Sequence, residues 1–93
     1  MEKHNQEIYA VCKKDVEGVF TPSFKEGFSY KGALIKLGNE TSNFIYVIFD
    51  DNGYSFSFYA NSESESMRNF IKLFIPISKK EYEKNKILER FVI

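Results

Sequence analysis

Apolar positions recur with a period of two through the first two thirds of this chain and with a period of 3.6 beyond residue 60, so strands come first and helices after them. Ile8, Ala10 and Cys12 alternate with Tyr9 and Val11 and predict a strand over about 6–13. Gly18, Pro22 and Gly27 divide 14–28 into a loop with turns, with room for one short strand. Ala33, Ile35 and Leu37 on one face, with Leu34 and Lys36 on the other, predict a second strand over 29–37, which a turn at 38–42 ends. Asn52-Gly53 between two alternating runs, 43–51 and 54–60, is a hairpin signal. Read as a two-residue type I′ turn, it pairs Phe49 with Phe56, Val47 with Phe58 and Ile45 with Ala60, an apolar set that becomes the core side. The other side then carries Ile48, Ser55, Ser57, Tyr46 and Tyr59, with Phe44 beyond them.

Met67, Phe70, Ile71 and Phe74 have the spacing of a helix stripe, and Ser62 with Glu65 has the form of a capping box at its start. Pro76 disfavours helical geometry at Ile75, so this helix is expected to stop near Phe74. A second capping-box pattern, Ser78 with Glu81, opens a helix over about 79–90 whose apolar face is weak. The fold class that follows is α+β: a bent antiparallel sheet of four to five strands followed by one or two helices.

Length sets the scale of the core. A 93-residue chain makes a single domain that buries roughly 60 to 65% of its unfolded surface, and residues 1–5 read as a polar, flexible leader. Ten Phe and six Tyr supply bulk to a core of this size. One cysteine, Cys12, excludes an internal disulfide and reads as core; with no apolar segment long enough to span a bilayer, the expectation is a cytoplasmic protein.

Charge is sorted along the chain although the total is zero. Residues 1–36 carry a net +1, residues 37–67 carry −5 with no Lys or Arg, and residues 68–93 carry +4. Glu40, Asp50, Asp51, Glu63 and Glu65 are therefore candidate contacts to a partner with a basic groove, with Tyr46 and Tyr59 as aromatic anchors. The bland alternative is a solvated acidic face. A nucleic-acid stacking platform built from Tyr46, Tyr59 and Phe44 is the competing functional class, disfavoured by the missing cations. A single His and a single Cys leave no metal-ligand spacing, Gly-rich phosphate loops are absent, and Asp50 and Asp51, adjacent on a strand, point to opposite faces. No metal, no cofactor and no enzymatic activity are expected.

Two resemblances refine these expectations. Lys36-Leu37, Thr41-Ser42-Asn43, the Ile-rich strand to Asp51, Asn52-Gly53, and Ser62 to Ser66 leading into Phe70-Ile71 and Phe74 resemble the hairpin-plus-helix of small anti-CRISPR proteins from Gram-positive prophages. That resemblance implies an acidic mimic of DNA that occupies a CRISPR effector nuclease; the neutral total and basic C-terminal segment depart from it. Val11 to Lys14, Phe24 to Tyr30, and Val47 to Asp51 with the Asn-Gly hairpin resemble small phage proteins with an SH3-like barrel. The combined expectation is a phage or prophage accessory protein that inhibits a host defence or nucleic-acid-handling protein by stoichiometric binding. The alternatives are an SH3-like nucleic-acid-binding module and a structural or regulatory phage protein that self-associates.

Overall fold

The computed structural model describes residues 3–17, 22–37, 43–60 and 62–91. Five strands and two helices follow one another as β1 (Lys3–Cys12), β2 (Ser29–Leu37), β3 (Asn43–Phe49), β4 (Ser55–Ala60), α1 (Glu63–Phe70), β5 (Phe74–Ile77) and α2 (Lys79–Glu89). The sheet is antiparallel with the order β4-β3-β2-β1-β5, a four-strand meander whose fifth strand returns beside the first. β1 begins at Lys3, inside the stretch the polar pattern assigns to a leader, and pairs Lys3 with Leu37. The predicted turn at 38–42 lies outside the described residues.

Two sequence expectations are corrected. The hairpin pairs Tyr46 with Phe58, Ile48 with Phe56 and Phe49 with Ser55, one position away from the type I′ register. Asp50 N donates to Tyr54 O (2.9 Å), Gly53 N donates to Asp50 O (3.1 Å), and Gly53 has φ +88°. The loop is thus the three residues 51–53, a type I turn closed by a left-handed glycine, and not the two-residue form. A shift of one residue exchanges the two faces of a strand. Tyr46, Ile48 and Phe58 go into the core, whereas Phe49 and Tyr59 go to the opposite side.

The second correction is at α1, which stops at Phe70, with Ile71 as its C-cap, and does not run on toward Phe74. Lys13 Nζ donates to Ile71 O (2.5 Å) and Lys13 N to Leu73 O (2.8 Å), and Phe74 then enters β5 against Cys12. Phe70 and Phe74 do both face the core, as their spacing requires, one from a helix and the other from a strand. The β-branched and aromatic run Phe74-Ile75-Pro76-Ile77 suits a strand, and Pro76 is accommodated because β5 is an edge. Both capping serines act as the sequence predicts: Ser62 Oγ accepts from Glu65 N (3.3 Å) and Ser78 Oγ from Glu81 N (3.1 Å).

One side of the sheet carries the core. Phe24, held by an isolated bridge between Val16 and Phe24, lies edge-on to Tyr30 (4.8 Å) and Phe74 (5.1 Å), and Phe70 stacks on Phe74 (5.3 Å). Cys12 is buried among these rings, as expected of a lone thiol, and burial pushes its pKa up. α1 closes this side over β3 and β4, with Ser66 fully buried. Its hydroxyl donates to Phe58 O (2.5 Å) and accepts from Tyr46 N (3.2 Å), fastening the helix to the β3–β4 ladder.

α2 lies on the opposite side over one end of β1 and β2, where Tyr82 packs against Tyr9 at 4.9 Å. Tyr9 donates its hydroxyl to Glu7 Oε2 (2.8 Å); that hydrogen bond, burial and the Glu7 charge push its pKa up to about 12. The sign follows from linkage: a phenol with a raised folded pKa favours folding in its neutral form, so its contribution is complete below pH 10, the ordinary value, and is lost as pH approaches 12. Thermal melts at rising pH should show a falling midpoint across that window, and Tyr9→Phe should flatten the fall. An unchanged slope in Tyr9→Phe would remove Tyr9 as its source.

Candidate functional site

The carboxylates that sequence order groups together are separated by the fold. Asp50 is buried and turned into its own loop: Oδ1 accepts from Asn52 N (2.9 Å) and Tyr54 N (2.8 Å), and Oδ2 from Ser23 N (3.1 Å). It ties the hairpin to the 22–28 loop and presents no free oxygen to a partner. Asp50→Ala leaves these backbone donors without their acceptor, and the expected loss is about 2 kcal/mol, read as a lower urea midpoint with an unchanged slope.

Asp51 is exposed but paired. Lys86 Nζ from α2 lies 3.0 Å from Asp51 Oδ1 and 3.1 Å from Glu89 Oε1, above the ring of Tyr30 at 4.8 Å. Burial on its own lowers the pKa of this ammonium, but the hydrogen bonds and charges of Asp51 and Glu89 outweigh it and the net shift is upward. Glu89 also accepts from Ser29 N (2.8 Å) through its other oxygen, and Asn85 donates to Ser29 Oγ (2.9 Å). The polar side of α2 is therefore its docking side, which accounts for the weak stripe in the sequence. Ile87, Leu88 and Phe91 point to solvent. An open cleft of about 350 Å³ here is lined by Phe28, Asp51, Lys86, Glu89 and Arg90, two cations against two carboxylates.

Glu63 and Glu65 remain exposed in the first turn of α1, where the helix dipole favours them. Glu40 lies outside the described residues. Among the described members of the acidic set, only these two are at the surface with no cation recorded against them; the single patch expected from the sequence is dispersed.

The aromatic pair separates as well. Tyr46 is buried and stacks on Phe70 at 5.1 Å; burial, then the Glu63 charge, raises its phenol pKa. Tyr59, its supposed neighbour, is 58% exposed on the other side of the sheet. There it shares a surface with Phe49, which is 40% exposed, and with Ile35, Ile45 and Val47 between β2 and β4. Lys31 is the one cation on this side of the three strands among the described residues. The two-residue register turns Phe49 toward the core, and the observed register turns it out. The usable signal was Asp50 followed by Gly53, an acceptor at the first and a glycine at the fourth position of a type I turn.

Among the described residues, no three His, Cys, Asp or Glu side chains group as metal ligands, and no helix is long and apolar enough to cross a membrane. No protein-family model, curated protein or solved structure matches this chain.

Proposed function

We propose that this chain is a non-enzymatic protein that acts by stoichiometric binding to another protein, through the side of β2, β3 and β4 that faces away from the core. The observation that carries the reading is the exposure of Phe49 and Tyr59 flanking the buried Val47, on a side of the sheet where α2, among the described residues, packs mainly on β1 and β2. Exposed aromatic rings on a rigid sheet are the usual anchors of a protein interface. Glu63 and Glu65, exposed in the first turn of α1 on the core side just past the end of β4, supply negative charge that would steer a basic partner toward the chain. The narrower form of the proposal is inhibition of a CRISPR effector nuclease in a bacterial host cell, and its support is the sequence resemblance. The return of β5 beside β1, around the buried Phe24, supports the SH3-like likeness at the level of fold.

The test is titration of the purified chain into a guide-loaded CRISPR effector nuclease from a Gram-positive host, with plasmid cleavage as readout. Inhibition that saturates near one chain per nuclease, and that weakens in Tyr59→Ala and in the double variant Glu63→Lys, Glu65→Lys, is the expected result. Full cleavage at large excess of chain overturns the narrower form. Inhibition that is insensitive to Tyr59 and both glutamates overturns the assigned surface.

A further inference from the structure

The two edges of the sheet are built differently. At the β5 edge the ladder bond from Lys13 N to Leu73 O fixes which residues direct their backbone groups toward β1, and by alternation those of Phe74 and Pro76 point away from it. This edge is four residues long and lacks a donor at Pro76, two of the devices that prevent a strand from pairing with another chain. At the β4 edge the bond from Asp50 N to Tyr54 O directs residues 54, 56, 58 and 60 toward β3. Ser55, Ser57 and Tyr59 then direct their N–H and C=O groups outward, three donors and three acceptors with no partner recorded among the described residues. The strand is Ser-Phe-Ser-Phe-Tyr-Ala, with no charge, no proline and no glycine. Nothing in it blunts the edge.

We infer that β4 pairs antiparallel with β4 of a second copy of this chain about a two-fold axis at Ser57. The strand matches itself in that register. Ser57 lies opposite Ser57 of the second copy and Ser55 opposite Tyr59, so all the outward donors and acceptors of residues 55, 57 and 59 on both chains are satisfied together. On the core side Phe56 comes opposite Phe58 of the second copy, which continues the aromatic row that Phe56 and Phe58 already form at 4.9 Å. On the other side Tyr59 of the second copy falls beside Ser55, next to the exposed Phe49.

Charge permits this occupant. The chain is neutral overall, and no cation or anion lies within β4. Beyond the strand ends this register brings the 51–53 turn alongside the start of α1 of the second copy, and Lys86 already holds Asp51 there. The same arrangement closes at two. Each copy has used its one open edge, and the β5 edges at the two ends of the ten-stranded sheet are short and interrupted by Pro76. The pairing does not depend on the proposed function. It leaves the side chains of Phe49 and Tyr59 facing out and joins the two aromatic surfaces into one.

Sedimentation or light scattering of the whole chain tests this, since dimerisation doubles the 10.9 kDa mass. Ser57→Pro removes an outward donor while leaving the β3–β4 ladder intact, because the Ser57 N–H does not face β3. Ser57→Lys sets two ammonium groups against each other at the axis without touching the backbone. Both variants should be monomers with the fold retained by circular dichroism. Ser57→Cys should cross-link between copies under mild oxidation faster than Ser55→Cys, because only residue 57 meets itself. A wild-type mass of one chain at the highest soluble concentration, a dimer that persists in Ser57→Lys, or faster cross-linking at position 55 would each overturn the assignment.

Discussion

Gly32→Ala should come close to abolishing the fold. Gly32 lies in the middle of β2 between Ile8 on β1 and Ile48 on β3, and a Cβ built there would stand 1.9 Å from Val47 O and 3.0 Å from Ile48 Cα. These are backbone atoms of the neighbouring strand, so no rotamer change relieves the overlap. β2 and β3 would have to move apart, breaking the ladder that supports Ile48, one of the most deeply buried side chains. Overpacking of this kind costs about 3 kcal/mol or more, a large part of the roughly 5 to 15 kcal/mol that holds a small domain together. The measurable result is a melting midpoint lower by about 12 °C or more, or no cooperative melt at all. A Gly32→Ala protein melting within a few degrees of wild type would mean that β2 and β3 do not approach as closely as described.

Phe70→Ala should rank beside it. Phe70 is 1% exposed and meets three rings at once, stacked on Phe74 at 5.3 Å and on Tyr46 at 5.1 Å, and edge-on to Phe58 at 5.6 Å. Removing it opens a cavity where α1, β3, β4 and β5 converge, and the expected loss is about 3 to 5 kcal/mol. The comparison with Met67→Ala sharpens the test. Sequence periodicity places Met67 and Phe70 on the same stripe, but Met67 is 41% exposed. Its truncation should lower stability by only about 1 kcal/mol. Equal losses in the two variants would argue for a longer α1 packed through both residues, and against the helix end at Phe70.

These contrasts mark where local sequence was sufficient. The span of β2, the two serine caps and the existence of the β3–β4 hairpin were legible because each depends on residues within one or two turns of one another: an alternating apolar face, a hydroxyl three residues before a backbone N–H, an Asn-Gly pair. Gly32 is visible in the sequence as an isolated glycine within a strand pattern, although its close approach to a neighbouring backbone is seen only in the fold.

Of the candidate surface, Tyr59, Glu63 and Glu65 were read in the sequence and are exposed, whereas Asp50 and Tyr46 were read and are buried. The difference is a single residue of register. Asn-Gly is compatible with both a two-residue and a three-residue loop, and the choice was made by Asp50, whose carboxylate caps the turn while binding Ser23 from a distant loop. Once that choice is made, alternation sends Tyr46 inward to Phe70 and Phe49 outward beside Tyr59.

Order along the chain thus determined the four strands of the meander, the capped starts of both helices and the sorting of charge into an acidic middle and a basic end. Tertiary structure alone decided which face is buried, that Phe74 begins a strand, and that Lys86 reaches back across 35 residues to neutralise Asp51. The reason is physical: period and propensity act within a few residues, whereas register, strand order and ion pairing are set by contacts between segments that only the folded chain brings together.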